Sequence, residues 1–278
     1  MLGAVSLAVL AAQRVARDAR VRRERLRRGE LTPLASVWRQ IGGVRMHARI
    51  AVGAGSSALP VVLVHGFGVS SSYFVPTAER LGTRFDVYAP DLPGHGRSGT
   101  PQRPYDIEAL ANALIAWMSA LRIERASFVA NSMGCQIAVA AALKDPARVD
   151  RLVLIGPTLD PAARNLGRLL ARFVWAGMHE ELTLGWVIAR DYARMGARVA
   201  PELCAMLGYR MEDRLCEVDI PTLLVRGEHD AIAPRAWLAQ ASKLIGERAR
   251  WTEVKGAAHA VNYSAPDALV QRITRFLE

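Results

Sequence analysis

Ser132 is the residue best placed to do chemistry. It stands in Ser127-Phe128-Val129-Ala130-Asn131-Ser132-Met133-Gly134-Cys135. The apolar run Ala126 to Ala130 reads as a short buried strand. A helical pattern starts at once at Met133 and continues through Ile137, Ala138, Val139, Ala141, Ala142 and Leu143. Small residues, Ala130 and Gly134, flank the serine two positions to either side. Strand, small-x-Ser-x-small and helix together are the pattern of a nucleophile elbow, where the serine is held in a strained backbone conformation. The strain would lift the hydroxyl clear of the sheet. The helix N-terminus would aim its free N–H groups at the same spot. Taken alone, Asn-Ser-Met-Gly also suits an ordinary loop, so the other parts of the machinery must decide.

A serine hydroxyl is a poor nucleophile and needs a base within hydrogen-bond reach. Of the six His, His259 lies in the small-residue loop Gly256 to Val261, between the last expected strand and the last expected helix. Such a loop overhangs the sheet edge beside the elbow. The base in turn needs an acid to fix its tautomer. Asp230 closes Arg226-Gly227-Glu228-His229-Asp230, just beyond the strand Thr222 to Val225, and Glu228 is its nearest competitor. An oxyanion would need two N–H donors. One is the backbone N–H of Met133. The other is that of Phe67, in His65-Gly66-Phe67-Gly68, directly after the continuous apolar run Val61 to Val64. His65 and Gly66 of this loop are also candidates for the pocket wall.

The elements that must position these groups alternate along the chain. Val37 to Ile41 and Val44 to Val52, joined at Gly42-Gly43, read as a hairpin. Gly53-Ala54-Gly55-Ser56-Ser57 reads as a loop. Strands are expected at Val61 to Val64, Phe85 to Ala89, Ala126 to Ala130, Val149 to Ile155, Thr222 to Val225 and Arg250 to Val254. Between them come helices capped at Ser70 to Ser72 and at Asp106, the latter running through Leu121, then the helix after Ser132 and one over Pro234 to Ile245. A last helix spans Ala265 to Phe276. This pattern predicts an α/β fold, a mainly parallel sheet with helices on both faces and an antiparallel N-terminal hairpin. Residues 158–217 break the alternation and read as a helical lid over the carboxyl ends of the strands. The division is therefore an N-terminal segment 1–35, a core of 36–157 and 218–278, and a lid of 158–217. Within the lid, Trp175, Met178, Trp186, Tyr192, Met195, Met206 and Tyr209 are candidates to line an apolar pocket, or to pack lid helices onto the core. Arg190, Arg194 and Arg198 recur at helical spacing, either to meet a substrate carboxylate or as a solvated face.

The chain of 278 residues is 51% hydrophobic and 22% charged, ample material for a core. Its three Cys (135, 204 and 216) form no CxxC or Cys/His pattern, so neither a metal site nor a disulfide framework is expected. Sparse, odd cysteines suit a reducing, cytoplasmic setting. The formal net charge is +10, much of it local: Arg14, Arg17, Arg20, Arg22, Arg23, Arg25, Arg27 and Arg28 face only Asp18 and Glu24 in that stretch. Met1 to Ala12 before it is apolar but shorter than the about 20 residues of a spanning helix. Residues 1–28 read either as a peripheral anchor on the inner face of a membrane or as a helix packed on the domain. No aromatic residue interleaves the Arg run, so no nucleic-acid partner is expected.

His65-Gly66-Phe67-Gly68, Asp91-Leu92-Pro93-Gly94-His95-Gly96-Arg97-Ser98, Asn131-Ser132-Met133-Gly134, Gly227-Glu228-His229-Asp230 and the His259 loop together resemble the α/β-hydrolase fold family, over about residues 37–278. The order Ser132, Asp230, His259 is the one that family uses. The resemblance implies a serine hydrolase acting on a small-molecule substrate without cofactor or metal, with the Asp91 to Ser98 loop structural. Asn131-Ser132-Met133-Gly134 is similar to the elbow of the meta-cleavage-product hydrolases, which cut carbon–carbon bonds in vinylogous diketo acids. That branch generally has Gly in place of Ala130 and Cys135, and several esterases share the motif. Ser132 sets the chain apart from the haloalkane dehalogenases and epoxide hydrolases of this fold, whose nucleophile is Asp. The expectation is an esterase for apolar substrates of small to medium size, with carbon–carbon bond hydrolysis as the alternative and a non-catalytic binding protein of the same fold as a further one.

Overall fold

The computed structural model describes residues 2–52, 58–164 and 166–278; the expected loop Gly53 to Ser57 lies outside them. The strands are β1 (Ala35–Ile41), β2 (Val44–Ala51), β3 (Val61–Val64), β4 (Val87–Pro90), β5 (Ala126–Asn131), β6 (Val149–Ile155), β7 (Thr222–Gly227) and β8 (Ala249–Val254). They form one sheet of order β1-β2-β4-β3-β5-β6-β7-β8. β1 and β2 make an antiparallel hairpin, and β2 runs antiparallel to β4. Every pairing from β4 through β3, β5, β6 and β7 to β8 is parallel.

The helices are α1 (Leu2–Arg27), α2 (Val75–Leu81), α3 (Ile107–Ala120), α4 (Met133–Lys144), α5 (Leu166–Met178), α6 (Leu182–Met195), α7 (Val199–Gly208), α8 (Arg235–Ile245), α9 (Val261–Ser264) and α10 (Pro266–Leu277). The sheet alternates its residues between two cores, as a strand of period two must. Val62, Val64, Phe128, Ala130, Leu152 and Leu154 face the core under α3, α4 and α8. Val61, Leu63, Val129, Val153 and Ile155 face the one under α2 and α10. Burial on both faces explains why β3 and β5 read as unbroken apolar runs.

Local boundaries shift from the sequence reading by a residue or two. Asp106 caps α3 by accepting from Ala109 N at 2.8 Å. After Ser70 the chain first makes a short 3₁₀ turn, Ser71–Phe74, because Pro76 suits only the first turn of the following helix. The fourth strand starts at Val87 rather than Phe85, whose side chain is buried beneath α2 and α10. Helices α5, α6 and α7 are inserted between β6 and β7. α1 is tied at its carboxyl end to the body: Arg22 pairs with Glu79 of α2, and Arg25 and Arg80 share Asp267 of α10. It also meets α6. Among the described residues no helix is long and apolar enough to cross a membrane.

Candidate active site

Ser132 has φ 57° and ψ −125°, a conformation that a non-glycine residue rarely holds. Two glycines make room for it. A Cβ on Gly134 would strike the backbone carbonyls of Val64 and His65, so only glycine lets α4 leave β5 this close to β3. A Cβ on Gly66 would lie 3.0 Å from Ser132 Cβ and 3.1 Å from Asn131 O. The loop after β3 therefore lies against the serine, and Gly66 and Phe67 line the same cavity as Ser132. Met133 opens α4, whose first turn leaves N–H groups without intrahelical partners.

Asp230 and His259 meet beside that turn. His259 Nδ1 lies 3.0 Å from Asp230 Oδ2. The other carboxylate oxygen, Oδ1, accepts from Ile232 N and Ala233 N, both at 2.9 Å. Arg226 clamps the turn, donating to the carbonyls of Glu228, Asp230 and Ala233. The two loops run side by side, with Glu228 N donating to Val254 O and His229 N to Ala257 O. Glu228 itself points to Gly256 N, from which it accepts a hydrogen bond at 2.9 Å, and has no contact of this kind with His259. The structure thus brings Asp230, not Glu228, onto the imidazole. Burial alone would push the His259 pKa down, but the charge and hydrogen bond of Asp230 and the charge of Glu180 outweigh it and hold it above its ordinary value. With Nδ1–H donated to Asp230, His259 Nε2 is buried without a hydrogen-bond partner, a lone pair available for a proton.

Two features hold the pair that the sequence reading missed. Asn131 donates through Nδ2 to Ile155 O and His259 O, both at 3.2 Å, tying the histidine loop to the serine turn. Gly156, at φ +52°, packs under the pair: a Cβ there would be 2.8 Å from Asp230 Oδ2 and from His259 Cε1 and Nδ1.

The cavity over Ser132 has a volume of about 260 Å³. Its floor includes Asn131, Ser132 and His259, and its roof comes from Phe173, Ala176 and Gly177 of α5, Glu180 of the link after it, and Leu184, Ile188 and Tyr192 of α6. Tyr192 lies against the oxyanion-loop candidates, its ring 5.6 Å from that of Phe67 and edge-on to it. Burial raises its hydroxyl to about 12. Of the other expected wall residues, Gly66 lines the cavity, and Trp175, Met178, Trp186, Met206 and His65 do not. Trp175, Met178 and Trp186 are 54%, 65% and 74% exposed, on the opposite helix faces. Met206 is buried in the core under α4, where its carbonyl accepts from Gln136. His65 is used up structurally: its Nε2 accepts from Leu92 N and its Nδ1 donates to Gly66 O, each at 3.0 Å. Burial lowers its pKa to about 4, so it stays neutral.

Glu180 was not anticipated. Its Oε1 accepts from Ala260 N at 2.6 Å, and its Oε2 is buried without a partner. Burial raises its pKa. Glu180 stands just past the end of α5, in the link to α6, so helical periodicity does not mark it. The Asp91 loop is a frame: Asp91 accepts from Ser71 N at 2.7 Å and Arg97 N at 2.8 Å, and pairs with His47 Nδ1 at 2.8 Å. His95 is bound to Glu202, away from Ser132.

The family model for the alpha/beta hydrolase family matches residues 61–272. The chain is 37% identical over 126 residues to an uncharacterized protein of Mycobacterium tuberculosis, an alignment covering 45% of this chain and 36% of that protein. The chain thus spans about a third of the length of such relatives. It is 25% identical over 249 residues to the pimeloyl-(acyl-carrier protein) methyl ester esterase of Nitrosospira multiformis, covering 78% of this chain and 93% of the esterase. Among solved structures, it resembles the enol-lactonase from Burkholderia xenovorans LB400 with a TM-score of 0.74 and 25% identity, covering 87% of this chain and 99% of the lactonase.

Proposed function

Since the chain belongs to the alpha/beta hydrolase family and is an α/β-hydrolase enzyme, we propose that it is a serine esterase for neutral, apolar carboxylic esters of small to medium size, with Ser132, His259 and Asp230 as its triad. The observation that carries this reading is the wall of the cavity. Among its described lining residues there is no Lys or Arg, and its one carboxylate is Glu180. A vinylogous diketo acid brings a carboxylate that such a wall would leave unpaired and facing a like charge, at a cost of several kcal/mol for a desolvated ion. An ester brings no charge. The likeness to an ester esterase and to an enol-lactonase, whose substrate class is a cyclic ester, supports the same side.

In this mechanism His259 Nε2 takes the Ser132 proton while Asp230 holds Nδ1–H and stabilises the imidazolium. Ser132 Oγ attacks the carbonyl carbon. The oxyanion is received by the N–H groups of Phe67 and Met133. His259 returns the proton to the leaving alcohol, and water repeats the cycle on the acyl-enzyme. Helices α5–α7 act as the lid that shields these steps from bulk water. Turnover of a chain-length series of aryl esters, set against a vinylogous diketo acid, tests the reading. Ester turnover with none of the diketo acid is expected. Turnover of the diketo acid alone would replace it with carbon–carbon bond hydrolysis, and failure of a fluorophosphonate probe to label the protein would remove catalysis by Ser132 altogether.

A further inference from the structure

Helices α5 and α6 are apolar on two faces. Their inner faces line the cavity, through Phe173, Ala176, Leu184 and Ile188. Their outer faces carry Leu170 at 56% exposure, Val174 at 66% and Leu182 at 59%, besides Trp175, Met178 and Trp186. Most of the large hydrophobic side chains exposed anywhere among the described residues are on this one hairpin. Two large aromatics and four aliphatic side chains at such exposure amount to several hundred Å² of apolar surface on the order of magnitude, and a patch of that size marks an interaction site. A helix apolar all round belongs in an apolar surrounding.

The charges of this face say what surrounds it. On α5 and α6 the exposed ionisable side chains are Arg168, Arg190 and Arg194, of which Arg190 is paired with the buried Asp191; the acids of the link between the helices, Glu180 and Glu181, are half-buried. α1, with its Arg-rich half, meets α6. Tryptophan beside Leu, Val and Met, with arginine as the exposed charge, is the composition of a helix face that lies in the headgroup region of an anionic bilayer. Arginines near such a surface add to the attraction. We propose that the outer face of α5 and α6 is a lipid-docking surface, which seats the roof of the cavity on the membrane and admits acyl esters held there. As to substrate, the inference rests on the esterase reading; as to docking, it does not.

The test uses the full chain and sedimented vesicles of phosphatidylcholine, alone or mixed with phosphatidylglycerol. The protein is expected on the mixed vesicles at low salt, with added salt releasing part of it. Leu170→Ser/Val174→Ser/Leu182→Ser should weaken binding at least about tenfold, since three exposed aliphatics lose their apolar burial, while hydrolysis of a short soluble ester stays within about twofold. Docking by this face is overturned if the triple variant binds as the wild type does, leaving α1 alone responsible. It is overturned if the wild type ignores both vesicles. It is also overturned if the wild type is a dimer that the triple variant splits, which would make the patch an interface between copies. Should the variant unfold, lipids with brominated chains decide: quenching of wild-type fluorescence that disappears in Trp175→Phe/Trp186→Phe supports docking, and no quenching overturns it. Vesicle binding without hydrolysis of any ester would uphold the surface and sink the esterase reading; ester hydrolysis by a protein that ignores vesicles would do the reverse.

Discussion

Gly156→Ala is the sharpest probe of the acid–base pair, because the residue takes no part in the chemistry. The added methyl would lie 2.8 Å from Asp230 Oδ2 and from two atoms of the His259 ring, where ordinary contact begins at 3.4 Å, so the pair must retreat by about 0.6 Å. A misplacement of about 1 Å can cost about a hundredfold in rate, so kcat should fall roughly ten- to hundredfold. The backbone adds a second penalty, since φ +52° is unfavourable for alanine. Strain of this kind costs about 1–3 kcal/mol, and forced repacking about 1–3 kcal/mol more. Gly246→Ala separates the two: it has φ +84° with nothing within 4 Å of its would-be Cβ. That variant should lose about 1–3 kcal/mol of stability from strain alone and keep its kcat. The assay is kcat on one soluble aryl ester beside urea unfolding of all three proteins. A folded Gly156→Ala enzyme with wild-type kcat would refute the assignment of Asp230 and His259, and an equal loss of kcat in Gly246→Ala would show that strain, not collision, was being measured.

The remaining expectations concern the charged groups. Ser132→Ala and His259→Ala should each lower kcat by about three orders of magnitude or more, and together by little more than either alone, because the proposed triad would act as a unit; multiplying losses would count against it. Asp230→Asn should cost roughly 10³- to 10⁴-fold in kcat by favouring the wrong imidazole tautomer, while Glu228→Gln, bonded only to a backbone N–H of the neighbouring loop, should cost less than about tenfold; ester kinetics on both variants check the order. The base works only when neutral, and the negative charge of Glu180 raises the His259 pKa, so Glu180→Gln should move the acid limb of the kcat/KM profile to lower pH; an unmoved limb would separate the two residues. Asp91 is held well below the usual carboxylate range: burial opposes this, but its hydrogen bonds with His47, Ser71 and Arg97 prevail. A depressed carboxyl stabilises the fold above its unfolded pKa and loses that contribution as pH falls through the folded one. Asp91→Asn should therefore cost about 3–5 kcal/mol at neutral pH and flatten the acid limb of stability, read by urea unfolding across pH.

What was legible in the sequence was whatever the backbone dictates. Ser132 needed small neighbours at 130 and 134, and the loops carrying Asp230 and His259 follow apolar strands, so strand order alone brings them to one edge. The walls were not legible in the same way. Trp175, Met178 and Trp186 are large and apolar, and size does not say which face of a helix looks inward. In α5 the inward face is carried partly by Ala176 and Gly177, which attract no notice, and the link after it adds Glu180, which reads as a surface charge. Asn131 was visible inside its motif, but its bond to the His259 carbonyl spans 128 residues, and only the folded chain supplies that partner. His65 and Met206 lie off the cavity because partners distant in sequence hold them: Leu92 N donates to His65 Nε2, and Met206 packs in the core under α4.

That same long-range tie between Asn131 and His259 bears on biosynthesis. Ser132, the proposed nucleophile, is translated before His259, its proposed base, which stands on the segment that follows β8. Domains are translated from the N-terminus and contacts of large sequence separation form late. A nascent or prematurely terminated chain can therefore already possess its serine turn and most of its sheet while remaining chemically silent. On the proposed mechanism, hydrolysis waits until the His259 loop has been made and has docked on the serine turn.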